Sequence, residues 1–356
     1  MPLYTNVVTV HRMPSFALVP PFRRALLLVT ALLLTSSLPT PGSLTRATAQ
    51  SNLGGRVLAS ARGQVAWLDL MAPRPTPLTQ LVRPAYPADV AGAPGVPFAV
   101  ASVISALSGS GALGGDLLRI DLPTNTTRTL LARDSESESL DLPAIWPDGS
   151  AILYQRSNLR AAVPMPGQAQ PQYQSRIEQI DPDGSNAVPL LDDARYPGPA
   201  PDGAQFAFVR STASGAAIFA HSVPDGSDRQ LVTPGQFLAL AYPRFSPDGQ
   251  SVAFAAISLL SPIGRTGSDP VFSQLRTRQA LAHGFPWEVW IVNADGSGLR
   301  QIPDVQDDDP SITWSPDGSQ LLIYGGWGSY VVDAATGSAS SLSFLAGYGS
   351  VAWLPE

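Results

Sequence analysis

Apolar residues in this chain are gathered into short runs, and four of the runs follow one recurring phrase. Ile145-Trp146-Pro147-Asp148-Gly149 leads into residues 151–154, Pro199-Ala200-Pro201-Asp202-Gly203 into 205–209, Phe245-Ser246-Pro247-Asp248-Gly249 into 251–254, and Trp314-Ser315-Pro316-Asp317-Gly318 into 320–324. Proline presets φ at the first corner of a turn, aspartate bonds back to nearby N–H groups, and glycine takes the positive φ that side chains resist. Each phrase therefore predicts strand, tight turn, strand. The aspartates lie 54, 46 and 69 residues apart, a repeat near the propeller period with one long insertion. A second turn recurs between them, at 181–185, 224–227 and 294–297 and more weakly at 333–337, and reads as the link from third to fourth strand.

On that repeat, blade three spans Leu142–Leu191, blade four Tyr196–Val232, blade five Tyr242–Ile302 and blade six Ser311–Leu342. Blade two is degenerate, with strands at 88–91, 97–104, 116–121 and 126–131 and a turn at Gly92-Ala93-Pro94-Gly95. Earlier still, Arg56–Ala61, Gln64–Asp69 and Thr76–Leu81 read as strands with no Pro-Asp-Gly strand before them, and Gly349–Leu354 looks like the one they lack. The expected fold is all-β: a six-bladed β-propeller of four-stranded antiparallel blades. Pairing of the C-terminal strand with the N-terminal blade closes the ring and leaves no free edge.

Trp-Ser-Pro-Asp-Gly ahead of an apolar strand, with Trp290-Ile291-Val292-Asn293-Ala294-Asp295-Gly296-Ser297-Gly298, resembles the TolB-type (WD40-like) propeller repeat. The resemblance covers roughly residues 55–354, best in blades five and six and least in one and two. It implies a periplasmic or cell-surface six-bladed propeller, often a binding platform for other proteins. The same repeats also occur joined to peptidase domains, and none is expected after Glu356.

Residues 1–49 stand apart. Arg23 and Arg24 precede the apolar run Ala25–Leu34, and a Ser/Thr/Pro-rich stretch leads to Ala47-Thr48-Ala49 ahead of Gln50, the layout of a secretory signal with its cleavage site. The apolar core is about half the length of a membrane-spanning helix, which makes an uncleaved anchor the weaker alternative. The arginine pair also raises a twin-arginine route, although its flanks match poorly; Met13 is an alternative start. Residues 50–356 are then one propeller domain with a long insertion at about 258–286.

Removing Arg12, Arg23, Arg24 and Arg46, with no acidic residue among them, takes the formal charge from −6 to −10. Such a chain is not expected to bind nucleic acid or anionic membranes. The chain has no cysteine, hence no disulfide and no thiolate metal site, and all 22 basic residues are arginine. A P-loop or Schiff-base lysine is thereby excluded. His221 and His283 are the sole histidines after residue 49, too few for most histidine metal sites. Gly-x-Ser-x-Gly is absent, and Asp181 with Asp183 lacks the other ligands of a calcium loop. No catalytic residue, metal or cofactor is expected.

Acidic clusters carry more information. Asp134, Glu136, Glu138 and Asp141 are placed before blade three, Asp192 and Asp193 before blade four, and Asp307, Asp308 and Asp309 before blade six. In an up-and-down blade these connections share a face with the loops between second and third strands, here the long segments 158–174, 258–286 and 325–329. Long loops on a rigid scaffold are where binding concentrates. The candidate rim is Asp192, Asp193, Arg265, Arg276, Arg278, His283, Asp307, Asp308, Asp309 and Trp327, read against the plainer alternative that the charges are solvated loop decoration. The expected function is an exported, non-catalytic, monomeric platform for a protein or peptide, a basic one in particular, or for an envelope component. The rival is a propeller hydrolase or lyase acting on a sugar polymer or peptide through carboxylates such as Asp307 or Asp309. Mass spectrometry of the exported fraction is expected to find a mature N-terminus near Gln50; an intact N-terminus held in membranes would instead support an anchor.

Overall fold

The computed structural model describes residues 54–70, 72–83, 85–106, 113–163, 172–258, 286–342 and 345–356, all within one compact unit, Ser51–Glu356. Blade one holds β1 (Arg56–Ala61), β2 (Gln64–Asp69) and β3 (Ala72–Pro77); blade two holds β4 (Tyr86–Ala91), β5 (Phe98–Ala106), β6 (Leu113–Asp121) and β7 (Thr126–Leu131). Blade three is β8 (Glu138–Ile145), β9 (Ile152–Val163), β10 (Gln172–Ile180) and β11 (Val188–Asp192). Blade four is β12 (Ala194–Pro199), β13 (Gln205–Thr212), β14 (Gly215–Ser222) and β15 (Asp228–Val232). Blade five is β16 (Phe237–Phe245), β17 (Ser251–Ser258), β18 (Trp287–Asn293) and β19 (Arg300–Asp307). Blade six is β20 (Ser311–Trp314), β21 (Gln320–Tyr324), β22 (Ser329–Asp333) and β23 (Ala339–Ser341), and β24 (Ala352–Leu354) returns to blade one. Six four-stranded antiparallel sheets result, a six-bladed propeller, and no helix occurs among the described residues.

The turns form as their chemistry requires. Gly149, Gly203, Gly249 and Gly318 have φ of 72°, 69°, 71° and 73°, and each N–H donates to the carbonyl three residues back at 2.8–3.1 Å. Oδ1 of each aspartate accepts the N–H two residues on, at 2.9–3.0 Å. Hydroxyl bonds from Ser150, Ser246 and Ser315, together with these N–H bonds, favour the ionised carboxylate and hold Asp148, Asp248 and Asp317 below the usual range. Between the blades, apolar faces of neighbouring sheets interlock. Ala253, Ile257 and Val289 of blade five, for example, share a buried cluster with Ile312, Leu321 and Ile323 of blade six.

Several boundaries differ from the sequence reading. β3 lies at 72–77 rather than 76–81. Its prolines 73, 75 and 77 sit on an outer edge strand, where a missing N–H is tolerated. Residues beyond it are strapped by the Gln64 side chain, whose Oε1 accepts Thr79 Oγ1–H and Leu81 N–H at 2.7 and 2.8 Å. β8 and β16 begin four and five residues before Leu142 and Tyr242, so Glu138 and Asp141 belong to the first strand of blade three rather than preceding it. What read as a strand start is a bulge: the register shifts between Asp141 and Ala144 and between Ala241 and Arg244, and pairing resumes on both sides.

Closure is direct. Arg56, Val57 and Leu58 pair with Leu354, Trp353 and Ala352, and Trp353 Nε1 donates to Gly54 O at 3.0 Å. Ser350 ties the returning chain to blade two: its N–H donates to Asp89 Oδ1 (2.9 Å), its hydroxyl donates to Val90 O (3.0 Å) and accepts from Val90 N–H (3.0 Å). Gly349 beside it has φ of 94°, and a Cβ there would sit 1.5 Å from Ala88 O. Gly349→Ala is therefore expected to cost at least about 2 kcal/mol, the left-handed penalty alone being roughly 1–2 kcal/mol. Thermal melts with parent-like behaviour would contradict this closure.

Candidate functional site

Four inner strands carry, or follow, the same local device, a residue in the left-handed region followed by proline. It occurs at Leu142-Pro143, Tyr196-Pro197, Tyr242-Pro243 and Asp309-Pro310, with φ of 51°, 57°, 51° and 49°. Gly349 takes that conformation just ahead of β24, and in β4 the register shifts between Pro87 and Asp89. Non-glycine residues in this region are costly, and their recurrence in blade after blade marks them as part of the scaffold. The lining differs around the ring. Leu142 and Tyr242 are buried together with Tyr196 packed against them, and the Tyr196 and Tyr242 rings meet edge to face at 5.0 Å. In blades six, one and two the lining is Asp309, Gly349, Ala88 and Asp89.

On that side a cavity of about 560 Å³ opens. Asp89, Tyr242 and Asp309 line it, and so do Arg62, Asp69 and Tyr324; Tyr86 and Tyr348, 45% and 51% exposed, stand at its rim. Two of the phenols are turned to other partners: Tyr324 donates to Ser60 O (2.9 Å) and Tyr348 to Asp308 Oδ2 (2.8 Å). Burial pushes the Asp309 carboxyl up to about 7, with the charges of Asp89 and Asp308 adding to it. Burial also raises Asp89, against the Ser350 and Leu142 N–H groups that favour its ionised form. Asp141 is pushed up to about 6 by burial, opposed by the Ser139 hydroxyl and reinforced by Asp89. Asp89 thus interacts with both other carboxylates, and the site can take a cation or hold a proton near neutrality.

The expected rim residues fall in different places. Asp309 faces the cavity. Asp307 is fully buried and accepts the N–H groups of Trp327 and Asp308, both at 2.7 Å, which fixes half-buried Trp327 and its loop. Burial pushes Asp307 up to about 6. Asp308 is buried and receives the Tyr348 hydroxyl. Asp192 and Asp193 are exposed and line another depression, with Glu138, Arg156 and Arg176. There Arg156 is bonded to Glu138 and Glu178 at 3.0 Å. Arg265, Arg276, Arg278 and His283 lie outside the described residues. His221 pairs with Asp228 at 2.7 Å on a strand of blade four. Among the described residues no group of three or more acids or histidines is placed to hold a metal ion.

Asp141 belonged to an acidic cluster read from the sequence, whereas Asp89, Tyr196, Tyr242 and Arg244 were not singled out as site residues, although a signal for the ring existed. The prolines at 143, 197, 243 and 310 are 54, 46 and 67 residues apart, nearly the spacing of the turn aspartates.

No family model matches the chain, and no curated protein matches it significantly. Solved structures do. TolB from Acinetobacter baumannii aligns with TM-score 0.54 and 18% identity over 85% of this chain and 66% of that one. A protein described as TolB from Agrobacterium tumefaciens aligns with TM-score 0.53 and 17% identity over 81% and 88%. A chain of a nidogen–laminin complex aligns with TM-score 0.57 and 13% identity over 84% and 98%. At these identities the likeness is one of fold, and the fold is that of a TolB-type propeller.

The raised carboxyls predict a pH dependence. Between about pH 4, where an exposed aspartate ionises, and about 7, Asp309 keeps its proton in the folded chain and has lost it in the unfolded one. Folding takes up a proton across that window, so raising the pH removes stability. Asp309→Asn is expected to melt a few degrees above the parent near pH 8, with the gap closing towards pH 4. Parallel melting curves for the two proteins across the series would show that Asp309 ionises freely.

Proposed function

We propose that the protein is an exported, non-catalytic propeller that binds a protein, peptide or envelope component at the mouth carrying Asp309. The observation that carries this reading is the cavity itself, opened where three blades contribute small or acidic residues and bordered by two exposed tyrosines. Exposed aromatics at the rim of a pocket offer a large, stiff contact surface. The carboxylates favour a basic group on the partner, since a cation arriving beside Asp89 and Asp309 relieves their mutual repulsion. Export rests on the Arg23–Ala49 segment, and no helix of the described residues is long and apolar enough to cross a membrane.

Catalysis is a second reading, favoured by Asp89 and Asp309 lining one cavity with raised pKa values. A carboxylic acid poised near neutrality is what general acid catalysis uses. The two readings separate by experiment. Partner captured from envelope extracts is expected to bind Asp309→Asn several-fold more weakly, with a flatter dependence on salt. Unchanged affinity across the salt series would sink the binding reading at this mouth. Turnover of a polysaccharide or peptide panel, abolished by Asp89→Asn and Asp309→Asn alike, would establish the enzyme instead.

A further inference from the structure

The opposite face of the ring has its own funnel, of about 380 Å³. Prolines of the four Pro-Asp-Gly turns (Pro147, Pro201, Pro247 and Pro316) wall it with Phe245 and Trp314. Its polar groups are nearly all engaged internally. The Ser246 and Ser315 hydroxyls donate to Asp248 and Asp317 (2.5 and 2.6 Å), and that of Thr313 accepts Trp353 N–H (3.3 Å). Trp314 Nε1 donates to Arg244 O, and Trp353 Nε1 to Gly54 O, both at 3.0 Å. The indoles therefore present apolar surface.

Among the described residues, Arg244 is the single charged one in this lining. Its Nη1 donates to the carbonyls of Pro197 (3.1 Å) and Pro243 (3.0 Å), which fixes the guanidinium plane. No carboxylate of a described residue lies within 4.0 Å of its nitrogens. Asp89, the acid whose charge it feels, is bonded to Ser350. Nε and Nη2 have no hydrogen-bond partner among the described residues and are not sealed in the interior. Those two N–H groups are the side-on fork that matches a carboxylate with two parallel bonds.

We infer that this funnel is a binding site for an apolar monocarboxylate, its carboxylate held by Nε and Nη2 of Arg244 and its body against the proline and tryptophan walls. The volume lies within the range of small-ligand pockets, roughly 300–1,000 Å³. A cation half-buried among apolar walls gains more from an incoming anion than one in water does. The carboxylate can come from a free organic acid or from the C-terminus of a peptide, and the recognising chemistry is the same.

The test is calorimetric titration of the full chain with 4-phenylbutyrate and with its uncharged amide. The acid is expected to bind at least about tenfold more tightly, as loss of a charge-assisted pair implies. Its affinity is expected to hold level between about pH 6 and 9, because the guanidinium stays charged throughout. Arg244→Gln is expected to abolish the difference between acid and amide, and Arg244→Lys to restore little of it, since a point charge lacks the fork. Equal binding of acid and amide, no binding of either at millimolar concentration, or a folded Arg244→Gln variant that still prefers the acid would each overturn the site. Should Arg244→Gln fail to fold, quenching of the parent's tryptophan fluorescence by 4-iodophenylbutyrate decides. Quenching reduced in Trp314→Phe supports the funnel, and quenching unchanged refutes it. A Pro-Leu-Phe peptide ending in a free acid, compared with its C-terminal amide, identifies the source. Tighter binding than phenylbutyrate indicates a chain terminus, and weaker binding a small acid.

Discussion

Inner strands of a propeller converge where there is least room, and here neighbouring backbones approach until a single methyl group does not fit. A Cβ on Gly349 would lie 1.5 Å from Ala88 O, and one on Gly198 would lie 2.1 Å from Pro243 O in the next blade. Other strands relieve the crowding by leaving the ladder for a residue or two, with a left-handed residue and a proline at the departure. Proline gives up no needed donor at such a bulge, because the ladder is already interrupted. The price is backbone strain at several positions, which the surrounding four-stranded sheets hold in place. Ring geometry therefore dictates the backbone near the axis, and the side chains hung on it remain free to vary.

That freedom explains which parts of the molecule were legible in the sequence. Pro-Asp-Gly turns are local chemistry, so the strands they join could be read directly, and the lone strand near Trp353 could be assigned to blade one because a ring needs it. Edge strand β3 was misplaced because its three prolines look like loop. The acidic run 307–309 was legible as a cluster but not in its parts. Alternation along a chain bending into the ring sends Asp307 inward to hold the Trp327 loop, Asp308 to Tyr348 and Asp309 to the cavity. Asp141 was legible only as one member of an acidic cluster, and Asp89 carried no local mark at all, since their importance arises from blades two, three and six meeting across the axis. Only the proline spacing pointed there.

The two mouths of the ring differ in kind. One gathers carboxylates that repel one another beneath exposed tyrosines, and the other exposes the free edge of one guanidinium among prolines and indoles. Asp89 interacts with Asp141 and Asp309 on one side and with Arg244 on the other, so the axis is electrically polar from end to end. A charged group entering from either side meets a field that favours one sign.

Closure also sets a schedule. Trp353 reaches Gly54 across 299 positions of sequence, so blade one stays a three-stranded fragment until residues 352–354 have been synthesised. Contacts of such long range are slow to form, because the intervening chain must first be brought together. A chain that stops short of those residues presents an open arc with an unpaired β1 edge and an exposed apolar face. Until the ring closes, that edge is a template on which other strands can pair.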